Sequence, residues 1–405
     1  MKKFVIALIG VLALLASCEE YIPMLSSGLD STYAIARMKA LRLHPEYEGE
    51  RYEWSMPDAQ GCDSIVSTQR DYLFVSAQAG IYRLRLDIID EKNPFTHEML
   101  ITVWNEEVAY SPYIAKVYDY SPAPGQYVGE LPRYEAGDDA ESMRRKVEAC
   151  IAGESDVLVS LGGFGGSVTF GFDHSVVNVP NALDFKIYGN AFYAQANPNP
   201  SNPNSGGSSE PGIVMVAFDS NGNGEPDDEW YELAGSAHNH PSTQHNYEIT
   251  YHRTPHDHIA TPKPNSGITD TTYIAWSDNY GGSGYVLRNA FHTQEYFPVW
   301  LPVTSLTMRG TRLPNNAVDE RGDATFYVLY CYEWGYADNH PNAADPSQNS
   351  FDIDWAVDAE GNSVELPCVD FVRVYTGVNQ QCGRVGEIST EISRAEDLHV
   401  AKEWK

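Results

Sequence analysis

From residue 167 to residue 376 the chain is a succession of short apolar or alternating runs, separated by clusters of Gly, Pro and Asn. That punctuation constrains the fold more than any other feature. Short runs with period-two alternation are half-buried strands, and a domain made of many of them must close its sheets against one another. Strands are expected at 167–173, 182–188, 212–219, 229–234, 247–252, 272–276, 306–311, 325–331, 351–357 and 369–376. The first follows Gly162-Gly163-Phe164-Gly165-Gly166. This bend feeds a strand with Val168, Phe170 and Phe172 on one face and Thr169, Gly171 and Asp173 on the other. The fold class is therefore all-β, with a jelly-roll-like sandwich over residues 155–389.

The glycine stretch is not a nucleotide loop. It lacks the third Gly of G-x-G-x-x-G and the Lys-Ser/Thr pair of a P-loop, and it precedes a strand. Its glycines suit a sharp bend or a close backbone approach. The one helical pattern spans 139–151, with Asp138 or Asp139 as cap and Met143, Val147, Cys150 and Ile151 on one face.

A length of 405 residues leaves room for two or three domains. The net charge of -29, with no basic segment, disfavours a protein that tracks a phosphate backbone, so no nucleic-acid partner is expected. The 26 Tyr and 8 Trp suit a secreted β-protein whose loops make amphipathic contacts. There is no His-Glu-x-x-His, no Cys-x-x-Cys and no Gly-x-Ser-x-Gly. Carboxylates are plentiful, but nothing singles out a glycosidase pair. No catalytic constellation is identifiable, and the expectation is a protein that is not an enzyme.

Met1-Lys2-Lys3 is a short basic start, and residues 4–15 form an apolar core too short for a stable membrane span. Leu15-Ala16-Ser17-Cys18 follows and resembles a bacterial lipobox. The resemblance implies a signal peptide over 1–17, cleavage before Cys18 and lipidation of that thiol. Glu19-Glu20 resembles the acidic export signal of Bacteroidetes surface lipoproteins, which implies the outer face of the outer membrane. Removing Cys18 leaves Cys62, Cys150, Cys331, Cys368 and Cys382, an odd set with at least one unpaired thiol.

Residues 18–30 read as a tether. Residues 31–106 read as a β-module with Tyr52-Glu53-Trp54-Ser55 early and Gly80-Ile81-Tyr82-Arg83-Leu84-Arg85-Leu86 late. This pattern resembles the PKD-type immunoglobulin-like module, usually a spacer, although the Gly-Asp-Gly turn after the Trp is missing. Residues 107–154 form a connector containing the helix, and 390–405 a C-terminal tail.

Three constellations carry candidate chemistry. Asp219, Asn221, Asn223, Glu225 and Asp227 set oxygen side chains at alternate positions around Gly224, as an EF-hand-type calcium loop does. Trp230 stands where the bidentate Glu is expected, and no helix pair flanks the loop, so a structural calcium and a metal-free Asx-turn hairpin are both open. Residues 238–258 carry His238, His240, His245, His252, His256 and His258, which suit either a polar loop or a metal or ligand contact. Finally, Tyr188 and Asn190, Trp276, Asp278 and Tyr280, and Trp334 and Tyr336 lie in loops that follow strands. If those loops gather at one rim, flat rings beside Asn and Asp suit a large polar ligand with apolar faces, such as a sugar or a corrin ring.

The whole architecture resembles that of Bacteroidetes cell-surface lipoproteins with a PKD-like module before a jelly-roll-like domain. That resemblance implies a nutrient-binding protein that passes its ligand to a TonB-dependent outer-membrane transporter. The leading ligand it implies is a corrinoid, vitamin B12. A glycan-binding surface protein and a secreted glycan-degrading enzyme are the alternatives.

Overall fold

A computed structural model describes residues 26–58, 61–105, 109–179, 181–194, 199 and 201–400. The expected lipidation site, Cys18, lies outside them. The chain is all-β, with several antiparallel sheets and, among the described residues, few helical turns. It divides into two compact units, one made of residues up to 33, 42–72 and 82–101, the other of 34–41, 73–81 and 102 onward.

The N-terminal unit is built on a five-stranded sheet in the order Thr32–Ala36, Phe95–Trp104, Gly80–Ile89, Arg51–Pro57, Asp63–Ser67. Alternation along Gly80–Ile89 turns Leu84, Leu86 and Ile88 inward. Trp54 is fully buried, its ring stacks on Tyr72 at 5.2 Å, and its indole N–H donates to the Gln69 carbonyl at 2.9 Å. A buried indole with its one donor satisfied is an apolar anchor without a polar penalty.

The larger unit is organised on a six-stranded sheet in the order Ala356–Val357, Trp230–Leu233, Gly212–Ala217, Phe371–Thr376, Ser167–Gly171, Lys116–Ser121. Register places Val168 opposite Val374 and Val214 opposite Val374 on its other side. Val168, Phe170, Val214, Val216, Leu233, Val372 and Val374 thus share one face, which belongs to the main core. The Ala140–Ile151 helix covers part of that core with Met143, Val147 and Ile151. Asp139 is its cap, accepting from the Ser142 N–H at 2.8 Å. A second sheet runs Ser283–Asn289, Ile268–Asp278, Gln244–His252, Ser305–Arg312.

The glycine bend is a close approach. Gly162 has φ +72, and a Cβ there would lie 2.0 Å from the Ala123 carbonyl oxygen. Phe164 is fully buried and meets Tyr247 edge-on at 4.9 Å. The strand after the bend is not the first of its sheet, because Lys116–Ser121, read as connector, lies at the edge beside it.

Two other expectations change. Residues 351–357 are not one strand: Asp352 accepts from the Asp354 N–H at 2.9 Å and winds Ile353–Trp355 into a 3-10 turn between two short strands. Residues 390–400, read as part of a tail, enter the fold. Glu391–Ile392 pairs with Val159–Ser160, and Arg394–Asp397 pairs with Phe185–Tyr188.

Candidate functional site

The face of the six-stranded sheet turned away from the core is polar and aromatic. Strand alternation puts Trp230 and Glu232 on that face and Tyr231 and Leu233 on the other. Register sets Glu232 opposite Met215, and Met215 opposite Arg373 on the next strand. The Arg373 guanidinium lies 4.2 Å from the centre of the Trp230 ring, and burial pulls its proton affinity below the usual arginine range.

The edge of the second sheet faces these residues. Gly310 permits the approach, since a Cβ there would sit 2.7 Å from the Tyr375 ring. The Tyr375 hydroxyl accepts from the Thr311 N–H at 2.9 Å. Between the two sheets, beneath the 357–361 turn, lies a cleft of about 820 Å³. Trp230, Glu232, His238, His245, Glu248 and Arg309 are among its lining residues.

These side chains are held by one another. Glu232 Oε1 pairs with His238 Nδ1 at 2.9 Å, and its Oε2 accepts from the Thr311 hydroxyl at 2.7 Å. The His238 and His245 rings lie 4.7 Å apart. Glu248 pairs with Arg309 at 2.6 Å. Asp358 uses one oxygen to accept from the Glu360 and Asn362 N–H groups, which shapes the turn above the cleft. The cleft therefore offers an indole, two imidazoles and fixed carboxylates at a size suited to a ligand of several rings.

The histidine segment is split by the fold. His238 and His245 reach the cleft, whereas His258 pairs with Asp270 at 2.6 Å and His252 and His256 are exposed.

The aromatic loops do not form one rim. Tyr188 is half-buried between Lys186 and Arg394 and donates to Glu396 at 2.7 Å; burial first, and then Glu396, push its hydroxyl up to about 12. Asn190 meets the third loop, its N–H donating to Asp338 Oδ1 at 2.7 Å. In that loop Trp334 packs against Trp355 at 4.5 Å. Tyr336 is a core residue, 2 % exposed, and its hydroxyl accepts from the Ala237 N–H. The Trp276 hairpin lies elsewhere, formed by the two strands at the edge of the second sheet away from Ser305–Arg312. Asp278 accepts from Tyr247 at 2.9 Å, and the exposed Tyr280 donates to the His245 carbonyl at 3.2 Å.

The calcium-like loop satisfies most of its side-chain oxygens internally, while the Glu225 carboxylate pairs with Lys116 at 3.7 Å. Asp219 accepts from the N–H groups of Gly222, Asn223 and Gly224, and Asn223 Oδ1 from that of Glu225. The Asn221 and Asn223 amides both donate to Asp227. This is the Asx-turn arrangement.

A different group of carboxylates does converge. Oxygens of Glu210, Asp338 and Glu391 lie within 4.8 Å of one another, close enough to hold a metal ion. Asp338 also accepts from the N–H groups of Asn190, Ala191 and Glu391. Burial and then mutual repulsion push Glu210 and Asp338 well above the usual carboxylate range, and burial raises Glu391. Crowding of this kind favours shared protons.

Sequence reasoning missed Glu232, Glu248, Arg309 and Asp358, and met Trp230 only as a substitute ligand. The available signal was Trp230-x-Glu232, an aromatic and an acid on the same face of a short strand.

No family model matches the chain, and no curated protein matches it. Among solved structures it is similar to a SusE-like protein, with 9% identity over 89% of this chain and 94% of that chain and a TM-score of 0.20. Likeness at that level carries no argument about ligand.

Proposed function

We propose that this protein is a lipid-anchored, cell-surface binding protein whose cleft takes a polyhydroxylated ligand, a segment of glycan. The observation that carries this reading is the wall formed by Trp230, backed by Arg373 at 4.2 Å, beside carboxylates that are already fixed in place. An indole face suits the C–H face of a sugar ring, and oriented carboxylates accept its hydroxyl protons. Both oxygens of Glu232 are engaged, which supports holding a ligand rather than acting as a nucleophile or free acid. Anchoring rests on the Leu15-Ala16-Ser17-Cys18 motif, and delivery to a TonB-dependent transporter is the partner relation consistent with such an anchor.

A corrinoid is the second reading, favoured by the exposed imidazole of His245 at the cleft, which could meet a cobalt. A glycan array followed by calorimetry tests the first reading, and titration with cyanocobalamin tests the second. Trp230→Ala is expected to weaken the glycan by about tenfold, the equivalent of one stacking contact. Cobalamin binding with no glycan binding moves the assignment to the second reading, and silence in both experiments removes the cleft as a binding site.

A further inference from the structure

Beyond the cleft, residues 377–390 build a second polar socket. Gln381 and Glu387 are antiparallel bridge partners, across a turn closed by the Cys382 N–H on the Gly386 carbonyl at 2.8 Å. Partners of this kind project their side chains to the same side. Both line a hollow of about 70 Å³, together with Gly163, Tyr251, Trp276 and Tyr285.

Glu387 is 4 % exposed. Its Oε1 accepts from the Gln126 N–H, and its Oε2, fully enclosed, meets no hydrogen-bond partner among the described residues. Gln381 Oε1 accepts from the Leu287 N–H at 3.1 Å, and its enclosed Nε2 likewise meets none. The Leu287 bond fixes the amide, because turning it would set two donors against each other. Native structures rarely leave a buried acceptor and a buried donor both unmatched on one hollow.

We propose that this socket is a binding site for the hydroxyl end of a small polyol or sugar, such as a hydroxymethyl arm or a vicinal diol. Once Glu387 is ionised, a hydroxyl matches both groups at once, donating to Glu387 Oε2 and accepting from Gln381 Nε2. Trp276, half-buried, and Tyr285, 45 % exposed, give an apolar wall for the attached carbons. The hollow exceeds the roughly 10–15 Å³ that one water needs, and falls far below the several hundred Å³ of a pocket for a whole multi-ring ligand. It therefore takes a terminal group. The socket shares none of its residues with the cleft and does not depend on the reading given for it.

Saturation-transfer NMR at about pH 9, where Glu387 is ionised, with glycerol, D-glucose, D-galactose and D-mannose tests the socket on the folded protein. At least one probe is expected to bind and to keep its signal in Trp230→Ala. Glu387→Gln preserves the acceptor for Gln126 but turns a second donor into the hollow, and Gln381→Leu removes the amide. Each is expected to weaken the probe by about tenfold, the loss of one hydrogen bond to a charged or fixed polar group. Near-UV circular dichroism establishes that each variant is folded; if Glu387→Gln is not, Gln381→Leu carries the test. The proposal is overturned if no probe binds, which leaves the hollow to water alone, or if binding is lost in Trp230→Ala and unchanged in the two socket variants.

Discussion

The Asp219–Asp228 loop and the Glu210, Asp338 and Glu391 cluster are both rich in carboxylates, and they solve the problem of negative charge in opposite ways. In the loop the acids sit at or near the surface, and Asp219 and Asp227 turn their oxygens onto N–H groups or amides a few residues away. In the cluster the acids come from distant parts of the chain and face one another under cover. The first arrangement is a local device that shapes a turn. The second joins three segments, and it is sustained only while the surrounding fold keeps water out and supplies the N–H donors that Asp338 accepts. Density of acidic residues in sequence is thus a poor guide to where charge has structural consequences.

The contrast is broken most directly at Asp338. Asp338→Ala strands three N–H donors around a buried position and is expected to cost about 3–5 kcal/mol in urea denaturation. A cost below about 1 kcal/mol would show that water replaces the carboxylate and that the cluster is not a structural joint. The next largest effect is on pH dependence. Burial pushes Glu387 up to about 8 from an ordinary 4.5, and Glu210, Asp338 and Glu391 move in the same direction. Between those two values the unfolded chain has released protons that the native state retains. Stability is therefore expected to fall as pH rises from about 5 to about 8, and to level off above the folded value. A melting temperature that rises steadily across that window would contradict protonated buried acids. The smallest effects belong to the loop. Asp219→Ala is expected to cost about 1 kcal/mol, because the freed N–H groups can turn to water. Excess EDTA is expected to leave the melting temperature unchanged, whereas a fall that Asp219→Ala abolishes would assign the loop to a structural calcium.

Elements with strong local patterns were legible in the sequence. The helix announced itself through Asp139 and the spacing of Met143, Val147 and Ile151, and the apolar run at Ile213–Val216 is a central strand. Residues 351–357 misled because their hydrophobicity suits a strand while the Asp352 side chain captures the backbone locally. The aromatic loops show the limit for sites. Tyr336 and Tyr280 look alike in sequence, yet one donates its bulk to the core and the other stands exposed. The cleft was less visible still, since Glu232 acquires its role only when Thr311 and His238 arrive from other strands. Pairwise partners of that kind are set by topology, which period and composition do not encode.

The pairing of Arg394–Asp397 with Phe185–Tyr188, and of Glu391–Ile392 with Val159–Ser160, bears on when this molecule can fold. A chain that emerges N-terminus first has delivered the glycine bend and the early strands long before their partners exist. Those strands wait with open edges until residues beyond 390 arrive, and loop closure over that distance is slow. If the chain is exported unfolded, as the anchored reading proposed above requires, such a delay is an advantage. Completion of these sheets waits on the last strands, which act as its timer.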